Sequence, residues 1–183
     1  MIFTGVGSRE TPKNILELIR RLSCKLVSKG WTLRSGGADG ADEYFAYGWG
    51  DAKSKEASTA PAEIYLPWSG FNGLYVGDPN CIVVQKAEII TKAHKILKKV
   101  HPAFDKLTRG PLSLHTRNCF QVLGADLETP SNYCIAYSKL DQNGEPSGGT
   151  RTAIKIAEMN KIKVRNLYLE EDCVKIEEFL LKD

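Results

Sequence analysis

Trp31-Thr32-Leu33-Arg34-Ser35-Gly36-Gly37-Ala38-Asp39-Gly40-Ala41-Asp42 decides the fold of this chain. A short β-prone run breaks on two glycines and continues into a helix-forming stretch, as a parallel strand does when it feeds a crossover helix. The pattern recurs at Ile2-Phe3-Thr4, which runs into Gly5-Val6-Gly7-Ser8-Arg9, and at the apolar run ending in Tyr137, which is followed by Ser147-Gly148-Gly149-Thr150-Arg151-Thr152. A glycine turn that opens a helix leaves backbone N–H groups unpaired and pointing at one spot, and the helix dipole makes that spot positive. In one parallel sheet all such turns open at the carboxyl edge of the strands, where ligands of α/β sheets bind. The expected ligand is therefore phosphorylated.

Outward from these turns, strand and helix patterns alternate. Thr11-Pro12 supplies a cap and a first-turn proline, and Ile15, Leu18, Ile19, Leu22 and Leu26 recur at helical spacing before Lys29-Gly30. A second helix is expected from Asp42 to Trp49, then a polar loop from Asp51 to Pro61 and a third strand at Glu63-Ile64-Tyr65-Leu66. Trp68 to Asn80 reads as a long loop, a length that is often functional. Helices are expected over Lys86 to Val100, Leu112 to Leu123 and Thr150 to Asn160, and strands over Asn132 to Tyr137 and Val164 to Leu169. Glu170-Glu171-Asp172 suits the start of a last helix. The economical solution is a Rossmann-like, doubly wound, mainly parallel α/β sheet with helices on both faces, in one domain spanning 1–183.

Composition narrows the function class. With 42% apolar and 26% charged residues, the 183-residue chain is that of a soluble globular domain. Five scattered cysteines without a CxxC suggest neither a disulfide framework nor a zinc site, and a reducing cytoplasm is the expected setting. No signal peptide or membrane span is apparent, so no membrane partner is expected. The GxxxxGK[ST] phosphate loop and the HExxH metal motif are both missing, and no metal or cofactor is expected. A net charge of +3 is too small to demand a nucleic-acid partner. The stretch from Lys86 to Arg117 does concentrate lysines and arginines, which would suit a solvated helix face, an anion-steering surface or a track for single-stranded DNA.

Arginine's fork matches phosphate oxygens, which makes Arg9, Arg34, Arg117 and Arg151 candidate anion clamps. The turns add Gly5, Gly7 and Ser8, then Ser35, Gly36, Gly37, Asp39 and Asp42, then Gly148, Gly149, Thr150 and Thr152. Trp68, Phe71 and Tyr75 in the long loop could stack on a base or form an interface.

These motifs resemble the SLOG superfamily, which joins the DNA-processing protein DprA, the LOG phosphoribohydrolases and the YpsA-like nucleotide-ligand-binding proteins. The resemblance rests on Gly5-Val6-Gly7-Ser8-Arg9, on Leu33 to Asp42, and on Gly148-Gly149-Thr150, and it extends in order over most of the chain. Leu114-His115-Thr116-Arg117-Asn118 resembles both the RN of DprA-like proteins and the catalytic arginine segment of LOG enzymes, which implies ligand contacts for Arg117 and Asn118 and a catalytic role for Arg117. The compact arrangement looks most like the single-domain DprA-like proteins often carried by bacteriophages. The resemblance also implies self-association into a homo-oligomer. It implies a nucleotide ligand, with two alternatives: N-glycosidic hydrolysis of nucleoside monophosphates, as in LOG enzymes, or single-stranded DNA binding, as in DprA. The LOG signature PGGxGTxxE departs here, because Lys155 stands in the glutamate position. A lysine would repel the oxocarbenium-like charge that a carboxylate stabilises.

Overall fold

The structure, a computed structural model, describes residues 1–55 and 58–182. Six strands, β1 (Ile2–Gly7), β2 (Thr32–Ser35), β3 (Ala62–Tyr65), β4 (Cys81–Ile82), β5 (Tyr133–Tyr137) and β6 (Lys163–Asn166), form one sheet in the order β4-β3-β2-β1-β5-β6. Every pairing is parallel. The helices are α1 (Lys13–Ser28), α2 (Ala41–Ser54), α3 (Ala87–Val100), α4 (Arg109–Leu123), α5 (Thr150–Met159) and α6 (Glu170–Leu181), with a 3₁₀ turn at Phe104–Lys106. This is the doubly wound, Rossmann-like α/β fold expected from the alternation.

Strand parity divides the core. Phe3, Leu33, Ile64 and Ile135 face α1, α2 and α6, whereas Val6, Tyr65, Cys134 and Ala136 face α3, α4 and α5. The chain walks outward from β1 to β4 and then returns to β1's other side to lay down β5. Connections of one hand therefore put α1 and α2 on one face and, after the reversal, α3, α4 and α5 on the other. The strand order reverses between β1 and β5, and the sheet's crevice opens there.

Several boundaries differ from expectation. α2 runs on to Ser54, because Ala52 continues its buried face and Asp51 is held by Arg20 of α1 at 2.6 Å; of the loop expected over 51–61, residues 56 and 57 lie outside the described residues. α4 begins at Arg109, with Gly110 and Pro111 in its first turn, where a missing N–H costs nothing. The first helix is capped by Pro12 without a side-chain bond, since the Thr11 hydroxyl donates to the Ser8 carbonyl at 2.7 Å. The two-residue β4, paired with β3, carries too little pattern to be read from sequence. The third glycine turn does not follow β5 directly. Ser138 to Ser147 form a closed excursion, with the Ser138 hydroxyl donating to the Ser147 carbonyl at 2.9 Å. No helix among the described residues is long and apolar enough to cross a membrane.

Candidate functional site

A cleft of about 510 Å³ opens at the carboxyl edge of the sheet, bounded by the ends of β1 and β5, the inner face of α4 and the start of α5. Gly7, Ser8, Arg9, Asp42, Arg117, Asn118, Gly148, Gly149 and Thr150 all line it, so each of the three glycine turns and the α4 segment reaches one place. Phe71 from the long loop lines it too, buried and T-stacked against the more exposed Trp68.

The three turns are not equivalent. The Gly7 N–H donates to Asp42 Oδ1 at 3.1 Å and the Ser8 N–H to the Tyr137 carbonyl at 3.0 Å, so the first turn spends these donors within the protein. The Ala41 N–H, at the start of α2, donates to the Ser8 carbonyl. The first turn therefore sits on the N-terminus of α2 and closes it. At Gly36 an added Cβ would lie 2.5 Å from Gln121 Nε2 and 2.7 Å from Arg117 Cζ, and at Gly5 it would meet the Phe45 ring. These glycines permit close packing rather than ligand approach. The third turn is different. Gly148, Gly149 and Thr150 carry backbone N–H groups with no acceptor among the described residues, at the N-terminus of a ten-residue helix. A Cβ at Gly148 or Gly149 would meet nothing within 4 Å.

The charged side chains separate in the same way. Arg117 is buried; its Nη1 donates to the Gly36 carbonyl at 2.7 Å, Nη2 lies 3.8 Å from Asp42 Oδ2, and its guanidinium covers the Phe71 ring. Burial raises the Asp42 pKa, opposed by Arg117 and by the Gly7 and Ala38 N–H groups. Burial likewise depresses that of Arg117, opposed by Asp42. Arg117 is thus partly neutralised by its own acid, whereas Arg9 makes no ion pair among the described residues. Lys139 and Glu10 meet at 3.8 Å on the cleft rim.

Arg34 is not an anion clamp. Strand parity turns it under the α4 face, where Nε donates to Glu63 at 2.7 Å and Nη1 to the Thr129 carbonyl. Gly5, Ser35, Gly36, Arg151 and Thr152 lie outside the cleft lining, the Ser35 hydroxyl donating to the Gly5 carbonyl at 2.7 Å. Gly37 and Asp39 instead line a second cavity of about 550 Å³ beside α2, where Asn72 Nδ2 donates to both the Gly37 carbonyl and Asp39. Lys155 also lies off the cleft, paired with Glu145 at 2.5 Å and Glu158 at 3.1 Å. Among the carboxylates near the turns and α5, Asp39 and Glu43 face the second cavity and Glu158 is held by Lys155, whereas Asp42 and the rim residue Glu10 line the cleft. No residue of α3 lines the cleft, so the lysine-rich helix is a separate surface.

Several cleft residues escaped sequence reasoning, among them Glu10, Ser138, Lys139, His115 and Gln121. His115 Nδ1 lies 2.8 Å from the Thr152 hydroxyl and its ring packs edge-on against His101, with centroids 4.4 Å apart. Burial, His101 and Arg117 push its pKa down to about 4, so it offers a neutral imidazole at neutral pH. Gln121 is fully buried on the cleft floor. Its place seven residues after Leu114 on one helix face was the available signal, but a glutamine there reads as polar surface until the sheet covers it.

A scan against protein-family models finds no match to this chain, and neither do searches of curated proteins and of solved structures.

Proposed function

We propose that the protein binds a nucleotide or nucleotide-derived phosphorylated ligand in the cleft between the ends of β1 and β5. The observation that carries this is the set of unpaired N–H groups of Gly148, Gly149 and Thr150 at the start of α5, opening at the switch point of a parallel sheet. The phosphate sits on that helix end, with Arg9 supplying the charge that Arg117 shares with Asp42. Asn118 Nδ2, which donates to the Gly149 carbonyl at 3.0 Å, holds the turn against α4. Phe71, backed by Trp68, forms an aromatic part of the cleft wall beneath Arg117.

Binding without hydrolysis fits the site, because position 155, which the resemblance assigns to a catalytic glutamate, carries a paired cation off the cleft, and Asp42 in the cleft is held by Gly7 and Arg117. Thermal denaturation with each common nucleoside monophosphate and its matching nucleoside tests the proposal. At about a hundredfold excess over Kd the binding nucleotide should raise Tm by roughly 5–10 °C, with much less from the nucleoside and from either ligand in Arg9→Ala. Equal shifts from nucleoside and nucleotide would refute a phosphate cradle.

A further inference from the structure

Three buried polar atoms on the cleft floor have no hydrogen-bond partner among the described residues: Arg117 Nε and both side-chain amide atoms of Gln121. A buried amide with neither its donor nor its acceptor satisfied destabilises a free protein, and native folds rarely keep one without a use. Gln121 is held in place by its backbone. Its carbonyl accepts the Thr4 hydroxyl at 2.6 Å, which ties the end of α4 to β1. The missing side chain at Gly36 makes the room that Nε2 occupies, since a Cβ there would lie 2.5 Å from it. Asn118, which touches the phosphate-facing turn through Gly149, precedes Gln121 by about one turn of α4, so their backbone positions are about 4.5 Å apart along the helix axis. That is the scale of one sugar unit extending inward from a phosphate. Asp42 beside the floor disfavours a second anionic group there, and a neutral amide can both donate and accept.

From this geometry we infer that Gln121 is a specificity residue whose amide, turning about its own side-chain torsions, binds a neutral group on the ligand that both donates and accepts hydrogen bonds: a sugar hydroxyl or the amide-like edge of a base. The inference rests on the phosphorylated-ligand function proposed above.

Gln121→Met, nearly isosteric and apolar, is the test, with Gln121→Leu as a second variant. Unliganded, the variants should melt about 2–4 °C above wild type, because the orphaned amide is gone. Their affinity for the nucleoside monophosphate that wild type prefers should fall about tenfold, while inorganic phosphate binds as before. A parallel loss for ribose 5-phosphate assigns the partner to the sugar, and a loss confined to the nucleotide assigns it to the base; either supports the inference. Unliganded variants that are both less stable than wild type would overturn it, because the amide would then be structural. If wild type prefers nucleotides to inorganic phosphate and the variants respond equally, this inference alone fails; if ribose 5-phosphate and nucleotides bind wild type no better than inorganic phosphate, the inference and the nucleotide reading both fail and only a phosphate cradle is left. A wild type indifferent to every phosphorylated probe sinks the proposed function and the inference together.

Discussion

Asp42, in the first turn of α2, accepts the N–H of Gly7, at the end of β1, at 3.1 Å across 35 residues of sequence. The second glycine turn thus closes the first from within, with Arg117 on the other carboxylate oxygen. Removing one member of a buried charged pair leaves the other desolvated and unpaired. Asp42→Ala should therefore lower the unfolding free energy by about 3 kcal/mol, read from the denaturant midpoint. A loss well below 1 kcal/mol would mean that water hydrates Arg117 in place of the missing carboxylate.

Glycines of the second and third turns should respond oppositely to alanine. Gly36→Ala drives a methyl into Gln121 and Arg117 and should cost about 1–3 kcal/mol. Gly149 has φ −64° and open space at its Cβ, so Gly149→Ala should leave Tm nearly unchanged. Comparable losses in both variants would contradict the assignment of the third turn as the open one.

His115 makes stability depend on acid. Its folded-state pKa of about 4 lies below the imidazole's ordinary 6.5, so the unfolded chain binds the proton more readily. The stabilisation is complete above pH 6.5 and is lost as pH falls from there through about 4. His115→Gln, which keeps a hydrogen-bonding partner for Thr152, should show a flatter decline over that window in chemical denaturation. Parallel curves for the two proteins would remove His115 from the account.

Incubation with the common nucleoside monophosphates should release no free base above the uncatalysed background, since no carboxylate stands where Lys155 does, Asp42 is committed to Gly7 and Arg117, and Glu10 is solvated on the rim beside Lys139. Chromatography that detects base release, abolished in Arg117→Ala, would turn the assignment to an N-glycosidase.

The sequence by itself determined what is local. Glycine after a short apolar run, helical spacing of Leu18, Leu22 and Leu26, and strand density at Cys134-Ile135-Ala136 are set by neighbours a few residues away, so the parallel α/β sheet and most of its cleft were legible. Tertiary structure decided which donors remain unpaired, because each partner is remote in sequence. Asp42 reaches back to Gly7, Arg117 crosses 81 residues to Gly36, and Thr152 faces His115 from another helix. Arg34 shows the same limit: it shares the α4 side of the sheet with Val6, but its register with Thr4 leaves it short of the carboxyl edge, beside Glu63. Gln121 shows it most fully. Its neighbours in sequence describe an ordinary helix, and its amide is orphaned because the groups that folding brings beside it, the Gly36 turn among them, offer it no bond. Hydrogen-bond satisfaction depends on groups brought together by folding, and no local pattern encodes it.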